Sequence, residues 1–264
     1  MAETVYPGPV SDLSAVREAT CIHTKKIFDS CQSKDCIEDL RLYPTQSSQP
    51  IIDQALSVKA GRARLLYTLV NVEPMGLNRG FFTVDLRYYY KITCDAFTGC
   101  TRPMQVSGLA VFDKRAILFG SESTAKSFSS MTGCAELTED MVLTNDLPTA
   151  VVEAVDPIIL SMRLCNVCER PMCGECTLTE VPAAIQAAFD EPISLENSTV
   201  RRIYLSLGQF SILRMERDTH MLIPVYDYCM PDKECECDRC DEDPCNIFQQ
   251  VSFPVGDLFH IAHA

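Results

Sequence analysis

Nine of the fifteen cysteines in this 264-residue chain fall in two dense runs, and thiols at that density are there to be bonded to metal, to one another or to another chain. The first run, Cys165, Cys168, Cys173 and Cys176, joins two Cys-x2-Cys knuckles through a four-residue spacer. Two such knuckles can hold one tetrahedral zinc ion, which makes a four-thiolate metal site one reading of it. The spacer is far shorter than the usual separation of about 12 to 20 residues in zinc ribbons, so disulfides and free thiols stay open as well. The second run places Cys229, Cys235, Cys237, Cys240 and Cys245 within seventeen residues. Five ligands are one too many for a single zinc. Seven carboxylates against Lys233 and Arg239 give this stretch a local charge of −5. Negative neighbours disfavour a thiolate, so a nucleophilic cysteine is not expected there, and the acidic residues lack the glycine and ligand phase of an EF-hand loop. An exposed cross-linking edge is the reading that fits.

The other six, Cys21, Cys31, Cys36, Cys94, Cys100 and Cys134, are scattered through the first half. Cys94 and Cys100 flank a short loop and could close it. The candidates for cross-linking are therefore Cys229, Cys235, Cys237, Cys240 and Cys245, together with Cys21, Cys31, Cys36, Cys94 and Cys100. An odd total means that one thiol pairs with another molecule or stays free. Catalytic templates are thin. The four histidines, His23, His220, His260 and His263, show no HExxH spacing, and no phosphate-binding glycine loop is present. No βαβ pattern surrounds the Cys-x2-Cys pairs, as a thioredoxin-like exchange site would need. The chain is read as a non-enzyme.

Positioning these thiols falls to a core the chain can well build, since 47% of its residues are apolar. Disulfides are thus not needed to rescue a missing core. The net charge of −13 argues against nucleic acid and against an anionic membrane surface. No apolar run approaches the roughly 20 residues that span a bilayer, so membrane insertion is not expected. The first ten residues carry neither the basic nor the apolar region of a secretory signal. A cytoplasmically made chain with this many cysteines meets oxidant only after leaving that compartment.

The periodicity predicts a mainly β protein. Phe81 to Thr93 is the clearest strand, with Phe82, Val84, Leu86, Tyr88 and Tyr90 on one apolar face and a mixed set on the other. This aromatic stripe is read as core rather than as a ligand platform. Glu18 to Phe28, Ile51 to Lys59 and Arg64 to Val72 read as strands, and Gln105 to Gly120 as a strand pair turned at Asp113-Lys-Arg115. Ser30 to Leu42 suits one or two helical turns closed by Pro44, and Ser121 to Leu147 reads as a linker with a short helix near residues 136–142. Thr179 to Phe189 reads as a helix with Thr179 as its N-cap and Pro182 in its first turn. Gln49-Pro-Ile-Ile is echoed by Asp156-Pro-Ile-Ile, and Ile203 to Leu207 echoes the Phe81 strand. The expectation is two β-sandwich-like halves, consistent with an internal duplication, with small helical inserts: an arm over residues 1–12, a first β-rich domain over 13–147, and a second over 148–264 carrying both cysteine runs.

Four segments carry a resemblance: Cys21 to Cys31, Arg79 to Thr93, Ile117 to Glu122, and Cys240-Asp-Glu-Asp-Pro-Cys245 with Phe253-Pro-Val. They resemble a group of cysteine-rich spore-surface proteins of Clostridia, which self-assemble into the exosporium lattice or into appendages held by disulfides. The paired Gln-Pro-Ile-Ile and strand pattern is, more weakly, similar to the SPOCS domain of spore-coat morphogenesis proteins. The resemblance implies a structural protein whose partners are further copies of itself and other spore-surface proteins. It also implies synthesis in the mother-cell cytoplasm, with oxidation following lysis of that cell. The alternatives are a cytoplasmic zinc protein using Cys165, Cys168, Cys173 and Cys176, and a thiol-redox enzyme.

Overall fold

Alternation of apolar and polar side chains dominates the computed structural model, which describes residues 22–99, 102–122, 147–166, 178, 180–195, 200–221, 248 and 251–254. Within these the order is β1 (Ile22–Arg41), β2 (Tyr43–Pro44), α1 (Ser48–Gln54), β3 (Ser57–Pro74), β4 (Phe81–Phe97), β5 (Met104–Phe119), β6 (Thr149–Ala154), β7 (Ile158–Asn166), α2 (Ala183–Gln186) and β8 (Arg201–Met221). The strands form two antiparallel sheets. One runs β1-β8-β6, with β7 also paired to β8; the other runs β2-β5-β4-β3. The mainly β expectation therefore holds.

The sheets do not divide the chain at residue 147. β1 pairs with β8 from Ile22 opposite Met221 to Arg41 opposite Tyr204, so a strand of the first half completes the sheet of the second. Both sheets contribute to one core, in which Cys31, Ile37, Val84, Leu86, Tyr88, Tyr90, Leu118, Leu205, Leu207 and Leu213 meet. The Gln-Pro-Ile-Ile echo also parts company, because Gln49 to Ile52 lie in α1 whereas Ile158 and Ile159 begin β7.

β4 follows its sequence pattern: Phe82, Val84, Leu86, Tyr88 and Tyr90 are buried between the sheets. On the opposite face Tyr89 is buried too, because Leu178 and residues 180–195 fold over this end of the sheet. Tyr43, Tyr89, Leu109, Ile185, Phe189 and Ile193 form a second, smaller core there. α2, which supplies Ile185, is shorter than the helix predicted from Thr179. Its N-cap is Pro182, and the chain turns at Ala187. Thr179 itself lies outside the described residues.

Two expected breaks are absent. Ser30 to Leu42, expected to be helical, is strand as far as Arg41, with a register shift between Ile37 and Leu40 and Asp39 at a positive φ of 52°. Asp113-Lys-Arg115, expected to be a turn, runs straight through the middle of β5, opposite Arg87, Leu86 and Asp85. Ile51 to Lys59, expected to be one strand, is split: α1 ends at Gln54 and β3 begins at Ser57. Ile52 is thereby buried in the main core. The segment 123–146, with its expected short helix, lies outside the described residues.

The outer face of the β1-β8 sheet is also covered. Phe248 packs on Phe210 at a centroid distance of 4.5 Å, and Phe253 meets the same ring edge-on at 5.4 Å. Lys34 Nζ lies over both Phe210 and Phe248 and donates to the Val251 carbonyl at 2.9 Å. Gly208 makes room for this cover, since a Cβ there would sit 2.6 Å from the Phe248 ring.

Candidate functional site

Of the fifteen cysteines, four are described: Cys31, Cys36, Cys94 and Cys165. Cys31 and Cys36 are both disulfide-bonded. They are not bonded to each other, because five residues of strand separate them by about 16 Å, whereas a disulfide joins Cα atoms within about 7 Å. They also sit on opposite faces of β1. Cys31 is buried in the core, and half-buried Cys36 lies opposite Gly208, on the face that Phe248 covers. Cys94 and Cys165 are unbonded, so neither is the partner of Cys31 or Cys36.

Cys94 points between the sheets in β4 and is 1% exposed. Burial, with a smaller contribution from Asp95, pushes its thiol up to about 12, which leaves it inert as a nucleophile. Cys94 is unbonded and so does not close the loop to Cys100. Cys165 is half-buried near the end of β7, opposite Arg202. The remaining thiols of both runs, Cys168, Cys173 and Cys176 in one and Cys229, Cys235, Cys237, Cys240 and Cys245 in the other, lie outside the described residues, as do Cys21, Cys100 and Cys134. Among the described residues no three metal-capable side chains converge. The structure anchors the chain close to the second run: Phe248, three residues beyond Cys245, packs against Gly208 in the strand beside Cys36.

A site that the sequence did not reveal lies between the sheets. On the inner face of the β1-β8 sheet, Ser33 pairs in register with Ser211, and Asp35 with Gln209. All four side chains are buried. From the opposing sheet Lys114 enters this polar layer, and its Nζ donates to both Asp35 carboxylate oxygens at 2.8 Å and to Ser33 Oγ. Ser33 Oγ in turn donates to Asp35 Oδ2 at 2.7 Å. The Lys114 and Asp35 side chains are each 4% exposed. Beside them Tyr88 donates to Ser211 Oγ at 3.4 Å and stacks on Tyr90. The Tyr90 hydroxyl has no hydrogen-bond partner among the described residues. Burial pushes this phenol well above its usual range, helped by Tyr88 and by the negative charge of Asp35.

The two residues flanking Lys114 point the other way. Arg87 makes a two-pronged pair with Asp113 at 2.6 and 2.7 Å, and Arg115 makes one with Asp85 at 2.6 and 2.9 Å. These four charges alternate in sign across β4 and β5, with exposed Leu69 on β3 and exposed Ile117 on β5 nearby. At the far end of the other sheet His23 and His220 face each other in register, their rings 4.9 Å apart. Only the Asp-Lys-Arg polarity in an otherwise apolar-alternating strand could have signalled the buried site.

No family model matches the chain, and no solved structure matches it. It is similar to a protein named exosporium protein A from Clostridium sporogenes (strain ATCC 15579), with 22% identity over 256 aligned positions that cover 90% of this chain and 73% of that relative.

Proposed function

We propose that this chain is a structural protein of the spore surface that associates with copies of itself, and with other spore-surface proteins, into a layer or filament cross-linked by disulfides. The observation that carries the reading is the likeness to exosporium protein A along nearly the whole chain. In this reading the protein is made in the mother cell and oxidised once that cell lyses. The intermolecular bonds come from the Cys229 to Cys245 run. Two features of the described residues support association between copies. β3 is hydrogen-bonded to a strand on one side only, and it exposes Tyr67 and Leu69, the pattern of an edge that a second chain can extend. Each intermolecular bridge makes the assembly harder to take apart.

Non-reducing gel electrophoresis of spore-derived protein tests this. A ladder of covalent multimers that collapses to monomer with reductant is expected, with sheets or fibres in electron micrographs that reductant erodes. A single monomer band, the same with and without reductant, overturns it.

A further inference from the structure

An amine nitrogen lies against a carboxyl carbon inside the molecule, sealed from water, and the two groups belong to different sheets. Lys114 Nζ is 2.8 Å from each oxygen of Asp35. Equal distances to both oxygens bring the nitrogen to about 3 Å from Cγ, the separation of a near-attack pair. Holding both partners this way removes most of the entropic barrier to their reaction, which in an intramolecular setting raises the effective concentration by orders of magnitude. Keeping them as ions in this layer is unfavourable, because two charges withdrawn from water lose more solvation than their mutual attraction returns unless every remaining hydrogen bond is met. An amide removes both charges at once.

We infer that Lys114 and Asp35 are the site of an autocatalytic modification, an isopeptide bond between Lys114 Nζ and Asp35 Cγ that staples β5 of one sheet to β1 of the other. Atoms balance without any co-reactant. The ammonium passes one proton to the carboxylate through the Ser33 hydroxyl, which contacts both groups. The neutral amine nitrogen then attacks Cγ and forms the C–N bond. The tetrahedral adduct loses the second ammonium proton together with its hydroxyl oxygen, so that one Cγ–O bond breaks and one water leaves. No electrons are exchanged. Tyr90, a buried phenol without a hydrogen-bond partner among the described residues, lies in the same layer, stacked on Tyr88. The linked residues are 79 apart in sequence, so the bond closes a long loop through both sheets, and its formation does not depend on the proposed assembly.

Mass spectrometry of the full-length protein, with every cysteine reduced and alkylated, tests the inference. The expected mass is one water below the sequence mass, and proteolysis should yield one branched fragment joining the Asp35 and Lys114 peptides. Lys114→Met and Asp35→Ala chains, analysed alongside even if they fold poorly, should each show the full mass expected of their sequences. A wild-type chain at its sequence mass overturns the inference. So does a water loss that maps to linear peptides, or one that persists in Lys114→Met.

Discussion

Asp113-Lys114-Arg115 sends three neighbouring charges to two different environments. Asp113 and Arg115 face outward and meet Arg87 and Asp85 in water, while Lys114 faces inward and meets Asp35 in the dry layer between the sheets. The geometry of the contacts is similar, with close approaches to carboxylate oxygens in each case. What differs is the solvent. An exposed pair competes with hydration and salt and contributes little. A buried pair has already given up its hydration, so breaking it strands an ion rather than returning it to water.

That contrast is broken most severely from the inside. Lys114→Met leaves the Asp35 carboxylate buried without its counter-charge and should destabilise the protein by about 3 to 5 kcal/mol. Pairing the substitution with Asp35→Leu removes the stranded charge and should recover that part of the loss, leaving what the amide between the two side chains contributes. Denaturant titration of the two single variants and the double variant measures the coupling. Additive losses would show that the two groups do not act as a pair.

The same inner pair explains which parts of the fold could be read from the sequence. β4 was legible because its buried positions are all apolar and its alternation is unbroken. From Ser30 onward β1 reads as helical turns, because two of its four consecutive core-facing positions, Ser33 and Asp35 between Cys31 and Ile37, are polar. β5 reads as a strand pair turned at Asp113-Lys-Arg115, because Lys114 puts a charge where an apolar residue is expected. Each strand hides its period at the position where it meets the other, and neither half of the chain shows that the two charges neutralise one another. α1 is hidden for a different reason. Ile51 and Ile52 favour extended chain locally, and the burial of Ile52 in the core settles the matter instead. For the thiols, spacing marked the runs but not the partners, which depend on strands remote in sequence, as the two faces of β1 bearing Cys31 and Cys36 illustrate.

A smaller effect is expected on the outer face of β1 and β8, where the contact is aromatic rather than ionic. Lys34, adjacent to Asp35 but pointing the opposite way, rests on the Phe210 and Phe248 rings instead of inside the sandwich. Gly208→Ala pushes a methyl group against the Phe248 ring and should cost about 1 to 3 kcal/mol, as overpacking does. Limited proteolysis should show faster cleavage of the C-terminal segment in this variant, with the sandwich itself intact. Unchanged cleavage would mean that Phe248 does not hold the segment.

Breaking an outer pair should do less again. Arg87→Ala removes a guanidinium that its hydrogen bond to Asp113 holds above its ordinary pKa, yet both side chains are more than 40% exposed. The expected cost is about 0.2 to 1 kcal/mol, and it should shrink as added salt shortens the screening length from about 10 Å at 0.1 M to about 3 Å at 1 M. The cost of Lys114→Met should change little over the same range. Equal salt sensitivity in the two variants would remove the distinction between the faces.

The finest test is the pH dependence of the second outer pair. The hydrogen bond from Arg115 holds the Asp85 carboxyl below its usual range, against a smaller opposing effect of burial. Folded protein therefore binds this proton less readily than unfolded chain, and stability rises with pH through the carboxylate range. The contribution of the pair is complete above the ordinary aspartate value of about 4 and fades as pH falls through the lowered folded value. Arg115→Ala should thus lower stability slightly at pH 7 and not at all once Asp85 is protonated in both states. Proton titration of the Asp85 carboxyl by NMR, with and without Arg115, gives the shift directly. An Asp85 midpoint that does not move upward in the variant would show that this outer pair is a contact of geometry alone, without energetic coupling.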